Sequence, residues 1–383
     1  MNTFLDPGVI KEFRSIANEN RLFRNRYRNI DNRNKWSIVC SAMDWISVTA
    51  RGIEYISFSN THGSDDYLSL VLMQYIVAID VVIQAIIQLY RVLYGNSFKY
   101  PLSGDTSIFH KKIPDDDYFK HIRAVFSTHP VDLHSIDGCI EKKEERFFAS
   151  WSCRAKDGEN DFIVYLYSNM PENDEFYKFG IIIDDINRYC SKRYDLLREL
   201  ATRIKAINSA INQEYKLVQI ETSDDILNKI AILIQENNKR IGDSYGYTQD
   251  LYYLKDIFDA YQMYCPDDPI IKYYINMQIE QVEKIKDSLQ NMDFNFLVYE
   301  PEYISNFKMQ KIHEFLNSYD PYGEDCFWEL VSKGFLPEKL LYNQDKKLMR
   351  LYLDAYVDDY HKEYGCPFDV DIILKKETPN PLP

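Results

Sequence analysis

A long apolar stretch, Tyr67–Tyr94, constrains the fold of this chain more than any other part of the sequence. It is long enough to span a membrane, but Asp80 stands near its centre, and a central Asp costs about 2.5–3.5 kcal/mol on membrane insertion. Asp80, Gln84 and Gln88 follow one another at intervals of four residues, which places them in one polar stripe along a helix. The stretch therefore predicts a buried core helix of a soluble bundle, with no membrane partner.

The composition favours long helices in an acidic protein. The 383 residues include only 13 Gly and 14 Pro, which favours long regular elements over a turn-rich β architecture. The net charge of −14 argues against broad, sequence-independent binding of nucleic acid, which needs a basic face. The seven cysteines are scattered singly, as in a reducing compartment, and no apolar run follows a basic start at the N-terminus. We therefore expect a cytoplasmic protein without a signal peptide.

Helical spacing of apolar residues recurs through most of the chain. A shorter helix is predicted from Tyr118 to about Ser127, with Asp115–Asp117 supplying acidic residues to its first turn. That helix is expected to end by His129, because Pro130 disfavours α-helical backbone in the residue before it. The other predicted helices are Trp36–Ile56, Glu175 to about Tyr215, Asp224–Asn238 with Ser223 as its N-cap, Thr248–Tyr264, Pro269–Met292, Ser305–Tyr319, Glu324–Lys333 and Lys346–Tyr364.

One β-hairpin is predicted between these helices. Residues Arg146–Arg154 alternate apolar and polar side chains, and Asp161–Ser168 are rich in aromatic and β-branched residues. The sequence KDGEN between them is typical of a tight turn. Because an isolated two-stranded ribbon is only marginally stable, we expect the hairpin to lie against the helices.

The predicted fold class is mainly α: a helical bundle with one inserted β-hairpin, at about residues 146–168, and a second helical subdomain. The expected organisation is a polar and basic helical segment (1–35), the bundle with its hairpin (36–240), an accessory helical subdomain (241–375) and a disordered tail (376–383). The first segment contains the only Arg-rich run of an acidic chain. Two interpretations of that run stay open: a solvated first helix, or a local patch that binds a phosphate backbone or an acidic partner.

The residue pair with the clearest chemical use is Arg123 and His129, which enclose the sequence Ala-Val-Phe-Ser-Thr. The forked donors of an arginine fit phosphate oxygens and stabilise negative charge that develops on a phosphate. A nearby histidine exchanges a proton at neutral pH. Together they suit metal-independent RNA cleavage, in which His129 activates the ribose 2′-hydroxyl or protonates the leaving oxygen. Asp80 and His134 are the residues expected to support the pair.

The segment Arg123 to His129 resembles the R-x(4–6)-H motif of HEPN domains, which are small, mostly four-helix bundles. Two long helices followed by a shorter Arg-bearing segment are also similar to that family, over about residues 30–215. The resemblance implies an endoribonuclease of a toxin–antitoxin or phage-defence system. It implies RNA as the substrate, an antitoxin or other protein partner, and a homodimer in which two motifs form one site.

Two alternatives to a catalytic pair stay open. Arg123 can instead form an ion pair with a carboxylate such as Asp80 or one of Asp115–Asp117, while His129 caps the turn. The bundle would then be a non-catalytic protein-interaction or scaffolding module. A metal site of His129, His134 and Cys139 would require a His-x4-His-x4-Cys spacing, which zinc sites do not use. We therefore expect neither a metal nor another cofactor.

Overall fold

The structure is a computed structural model that describes residues 4–19, 21–58, 64–139, 144–155, 158–171, 175–242 and 245–375. It is mostly helical, with a small antiparallel sheet, which confirms the mainly α fold class. The predicted disordered tail, residues 376–383, lies outside the described residues.

The chain forms two compact units, Met1–Ile211 (unit 1) and Asn212–Pro383 (unit 2). This division comes earlier in the chain than the predicted boundary at residues 240–241. The difference arises from the helix at Ile226–Arg240, whose Ile230 and Leu233 are buried in the core of unit 2 rather than in the first bundle.

In the described part of unit 1, a group of helices is followed by four strands and then by two further helices. The elements are α1 (Pro7–Glu19), α2 (Arg21–Arg28), α3 (Trp36–Gly52), a 3-10 turn (Ile53–Tyr55), α4 (Asp65–Tyr94), α5 (Asp115–Arg123), a π-helical turn (Ala124–Thr128), β1 (Phe147–Ala149), β2 (Cys153–Arg154), β3 (Phe162–Ser168), β4 (Phe176–Ile181), α6 (Ile183–Tyr194) and α7 (Leu196–Leu217), which continues into unit 2.

Helix α4 is the apolar stretch that the sequence predicted as a core helix. By length and composition it could cross a membrane, yet it packs against α3, the π-helical turn and α6 within unit 1. Its N-cap is Ser64, whose hydroxyl accepts a hydrogen bond from the Tyr67 amide at 3.4 Å. It ends at Gly95, where φ is 93°, a backbone conformation that glycine adopts at little cost. Both ends therefore follow from local sequence signals.

The sheet contains the predicted hairpin and one further strand. In its centre, β3 pairs antiparallel with β1 and β2 along one side and with β4 along the other. The first predicted strand is divided into β1 and β2 at Ser150, whose hydroxyl accepts a hydrogen bond from the Tyr165 amide at 3.0 Å. Lys156 and Asp157 of the predicted turn lie outside the described residues.

The prediction of one helix from Glu175 to about Tyr215 is wrong for the first residues of that range. Residues Phe176–Ile181 form β4, and two separate helices follow, α6 from Ile183 and α7 from Leu196. In β4, Phe179 and Ile181 are buried while Phe176 and Lys178 are exposed, so the side chains alternate across the sheet. Pairing with β3 therefore outweighs the helical spacing that the isoleucines show in sequence.

Unit 2 is built from helices packed around one core. They are α8 (Ile226–Arg240), α9 (Thr248–Tyr264), α10 (Pro269–Asn291), α11 (Phe307–Asn317), α12 (Pro321–Ser332), a 3-10 turn (Glu338–Tyr342), α13 (Lys346–Tyr364) and α14 (Val370–Lys375).

Local signals set most helix ends in this unit. Helices α9 and α13 have the predicted bounds, and Pro269 stands in the first turn of α10 as predicted. The N-cap of α8 is Asp225, which accepts a hydrogen bond from the Asn228 amide, and not Ser223 as predicted. Ser223 instead accepts a hydrogen bond from the Asp225 amide at 3.2 Å. The conformation of the loop thus decides which of two neighbouring polar residues, Ser223 or Asp225, caps α8.

Close packing of α11 on α12 generates a first prediction. A Cβ added at Gly323 would lie 1.9 Å from the backbone oxygen of Lys311, so one helix would have to move. We expect Gly323→Ala to lower the free energy of unfolding by at least about 2 kcal/mol, measured by denaturant titration. The control is Gly52→Ala on α3, where a Cβ meets nothing within 4 Å, and which should be neutral or stabilising. Unchanged stability of the Gly323 variant would contradict the packing described here.

A buried acid in unit 2 generates a second prediction, on pH. The carboxylate of Asp354 is 5% exposed and accepts a hydrogen bond of 2.7 Å from the Tyr253 hydroxyl, which also contacts the Tyr274 hydroxyl. Burial raises the pKa of Asp354 to about 6, although the Tyr253 hydrogen bond opposes the rise. Because the pKa is higher in the folded than in the unfolded chain, the stabilising contribution is present at low pH and is lost as the pH rises through 6.

We expect Asp354→Asn to become more stable relative to wild type by about 2 kcal/mol between pH 4 and pH 7. The measurement is the free energy of unfolding of both proteins at each pH. Asp359→Asn, which changes an exposed carboxylate of the same helix, is the control and should follow the wild type. If the two variants show the same pH dependence, Asp354 does not titrate in the way its burial requires.

Candidate functional site

Arg123 is the last residue of α5, and the first turn of that helix is held firmly. The buried carboxylate of Asp115 accepts hydrogen bonds from the amides of Ile108 and Phe109, at 3.0 and 3.1 Å. The next carboxylate, Asp116, accepts hydrogen bonds of 2.7 Å from the Tyr189 hydroxyl and from Nε of Arg193. The acidic first turn is therefore confirmed, and two of its carboxylates fix α5 to its surroundings.

The guanidinium of Arg123 forms an ion pair with Asp80 of α4. Nη1 of Arg123 lies 2.5 Å from Oδ2 of Asp80, and the side chains are 30% and 17% exposed. Nε of Arg123 is buried and has no hydrogen-bond partner within the described part of the chain. The structure thus brings together two of the predicted site residues. The same contact also agrees with the alternative interpretation, in which Arg123 and Asp80 form a structural ion pair.

A π-helical turn separates Arg123 from His129. It spans Ala124–Thr128, and the amide of His129 donates to the carbonyl of Ala124 at 3.0 Å, five residues back. Such wide turns are rare in proteins and are frequently found at functional sites. The backbone of His129 has φ of −141° and ψ of 43°, so the helix ends there, as Pro130 predicts.

The turn after His129 is attached to the sheet. The amide of Ala149 donates to the carbonyl of Pro130 at 2.6 Å, and Leu133 and Phe147 exchange two backbone hydrogen bonds of 2.9 Å. These bonds hold the backbone of the turn, while the side chain of His129 is exposed and has no hydrogen bond or ion pair to any described residue. The backbone of His129 is therefore anchored, while its imidazole is exposed to solvent.

The other histidines of this segment have different roles. His134 is exposed and likewise has no partner among the residues that the structure describes. His121 is buried, its Nε2 lies 2.9 Å from the carbonyl oxygen of Ile136, and burial lowers its pKa. In the described ranges, no group of three or more His, Cys, Asp or Glu side chains is placed to hold a metal ion.

The predicted residues therefore fall into two groups. Arg123 and Asp80 are in direct contact, whereas His129 and His134 are exposed on the segment that follows the π-helical turn. Arg123 and His129 are both described by the structure, and their side chains are not hydrogen-bonded to each other. The Arg123–Asp80 pair has no net charge, because the positive charge of Arg123 is balanced by the negative charge of Asp80.

Unit 1 contains a basic groove that the sequence did not predict. It has a volume of about 510 Å³ and combines Lys11 and Arg14 of α1 with Arg51 of α3. The Arg-rich run of the first segment indicated positive charge near the N-terminus, but only the packing of α1 on α3 adds Arg51. None of the four predicted site residues lines this groove.

No protein-family model matches this chain, and no curated protein and no solved structure matches it.

The ion pair generates a third prediction. We expect a double-mutant cycle with Asp80→Asn and Arg123→Gln to give a coupling energy of about 1–2 kcal/mol, because the pair is partly shielded from water. The measurement is the free energy of unfolding of the wild type, both single variants and the double variant. The exposed pair of Lys120 and Asp117 is the comparison and should give less than about 0.5 kcal/mol. A coupling near zero for Arg123 would mean that its guanidinium is not held by Asp80.

Proposed function

We propose that this protein is a metal-independent endoribonuclease in which Arg123 holds the scissile phosphate and His129 transfers a proton. The observation that supports the proposal is the position of an exposed His129, one π-helical turn after an arginine whose guanidinium is oriented by Asp80. The His129 side chain has no partner among the described residues. Orientation by a carboxylate leaves further N–H donors of the guanidinium for a ligand, since the group has five. The resemblance to the HEPN motif supports the same assignment.

In the proposed reaction, the ribose 2′-oxygen attacks the neighbouring phosphorus, and the bond from phosphorus to the 5′-oxygen breaks. His129 accepts the proton of the 2′-hydroxyl or donates a proton to the leaving 5′-oxygen. Arg123 stabilises the negative charge of the phosphate in the transition state. The products are a 2′,3′-cyclic phosphate and a 5′-hydroxyl. A second copy of the chain would supply the second proton-transfer group, as the HEPN resemblance implies.

One observation favours a second candidate function. The ion pair with Asp80 opposes the positive charge that Arg123 would offer to a phosphate. A guanidinium held in this way also serves simply to fix α5 to α4. The protein would then be a non-catalytic helical interaction module.

The fourth prediction separates the two candidates. We expect the purified protein to cleave total cellular RNA in the presence of EDTA and to leave 2′,3′-cyclic phosphate ends. His129→Ala should lower the initial rate at least 100-fold, because it removes general acid–base catalysis, and Arg123→Gln should lower it by a similar factor.

The matched control is His110→Asn, which changes another exposed histidine of unit 1. His110 has φ of 53°, a conformation that asparagine tolerates, so this variant should fold and cleave like the wild type. His134→Ala tests the supporting role of His134 and should lower the rate by a smaller factor than His129→Ala. Intact RNA after incubation with the wild type, or equal cleavage by the His129 variant, would favour the interaction module.

A further inference from the structure

The basic groove of unit 1 lies between the first half of α1 and the second half of α3. Its volume is about 510 Å³. It is lined by Pro7, Ile10, Lys11, Arg14, Asp44, Ser47, Val48 and Arg51. The lining thus contains three cationic side chains and one carboxylate, in a chain whose net charge is −14.

Two of the three cations make no ion pair with a described residue. The only carboxylate, Asp44, is engaged by Nη1 of Arg14 at 2.7 Å. Arg51 donates from Nε to the backbone carbonyl of Ser47 at 3.1 Å, which orients the guanidinium but does not neutralise it. Lys11 is exposed and makes no ion pair or hydrogen bond to any residue of the described ranges. Among the described residues, neither Lys11 nor Arg51 is paired with an acid, so both are available to a ligand of the groove.

Further positive charge lies next to this groove. Burial and the nearby charge of Asp44 raise the pKa of the Cys40 thiol on α3, whereas the charges of Arg24, Arg14 and Arg28 lower it. Arg24 and Arg28 belong to α2, which packs against both α1 and α3, so they lie near the helix that forms the wall of the groove. The Arg-rich run and the groove thus belong to one basic face of α1, α2 and α3.

The N-terminus of α1 does not offer free amides to an anion on this face. The first amides of α1 are already satisfied by Asp6, whose Oδ1 accepts from Gly8 at 2.8 Å and whose carbonyl accepts from Val9 at 3.1 Å. A ligand would therefore have to contact cationic side chains on more than one helix, which a polymer with several phosphates can do.

An exposed aromatic side chain lies on the same helix as Arg51. Trp45 follows Asp44 on α3 and is 56% exposed, and Val48 of the groove is 55% exposed. Exposed indole rings stack on unpaired bases without sequence preference, while arginine and lysine track the backbone. Cations and an exposed aromatic ring on one helix are the two kinds of group with which proteins bind single strands.

We propose that the groove and the adjoining arginines bind the phosphodiester backbone of single-stranded RNA, with Trp45 stacked on a base. This inference rests on the proposed function for the choice of RNA as the polyanion. It assigns substrate binding to a face of unit 1 that contains neither Arg123 nor His129.

The experiment measures the fluorescence anisotropy of a labelled single-stranded oligoribonucleotide, with all variants in the His129→Ala background so that the probe is not cut. Lys11→Gln with Arg51→Gln should raise the Kd at least tenfold at about 150 mM salt. It should also reduce the slope of log Kd against log salt by about 1.4, since each phosphate contact on a single strand contributes about 0.7.

The matched control is Lys99→Gln with Lys112→Gln. Both are exposed lysines of unit 1 without a partner among the described residues, and the pair makes the same change in net charge. This control should stay within about twofold of the parent Kd. Trp45→Ala should raise the Kd at least fivefold and Trp45→Phe by less, because a phenyl ring still stacks.

Three results would overturn the inference: no binding of the probe by the parent protein, equal losses in the groove and control variants, or binding of a poly-glutamate peptide in place of RNA. The last would identify an acidic protein as the ligand of this face. Binding without cleavage by the wild type would refute the proposed function and leave this inference standing. Cleavage that is unaffected by the groove variants, together with unchanged Kd, would refute only the inference.

Discussion

Unit 1 depends on the burial of one face of α4. Leu72, Ile76, Ile79, Ile83 and Ile86 of this helix are each at most 2% exposed, and full burial of such a side chain contributes about 1.5–3 kcal/mol. Because α3 and the π-helical turn both pack on α4, this one helix sets the positions of the basic groove's wall and of the candidate catalytic segment. It also carries Asp80, so the helix that forms the core is the helix that orients Arg123.

Helix α5 is fixed at both of its ends, and this determines how Arg123 is presented. At its start, Asp116 pairs with Arg193 of α6, whose side chain is completely buried and whose guanidinium lies 3.8 Å from the centre of the Tyr189 ring. A buried charge is stable only when it is paired in this way, so α5 and α6 cannot separate without a large cost. At its end, Asp80 holds Arg123. His129, which follows the π-helical turn, is exposed and makes no side-chain hydrogen bond to any described residue.

Charge is distributed unevenly in this acidic protein, and the distribution matters more than the total. A net charge of −14 repels a polyanion at long range, and salt screens that repulsion beyond about 10 Å. A groove with two uncompensated cations acts within that distance. The proposed binding of RNA would therefore be confined to one face, while the acidic remainder of the surface would oppose nonspecific coating.

Local signals in the amino-acid sequence were sufficient to predict the helices whose ends they mark. Ser64 and Gly95 bound α4, Pro130 ends the segment after α5, and Pro269 begins α10, because capping and backbone propensity act between residues that are close in the chain. The sequence also indicated the hairpin and the Arg123–His129 spacing. Three features became clear only from the folded chain: Phe176–Ile181 is a strand, α8 belongs to unit 2, and Arg123 pairs with Asp80, 43 residues away. Only the folded chain joins Arg51 to Lys11 in one groove. The reason is physical: ladder hydrogen bonds, ion pairs and shared cores depend on which distant segments meet, and periodicity within one segment contains no information about its partner.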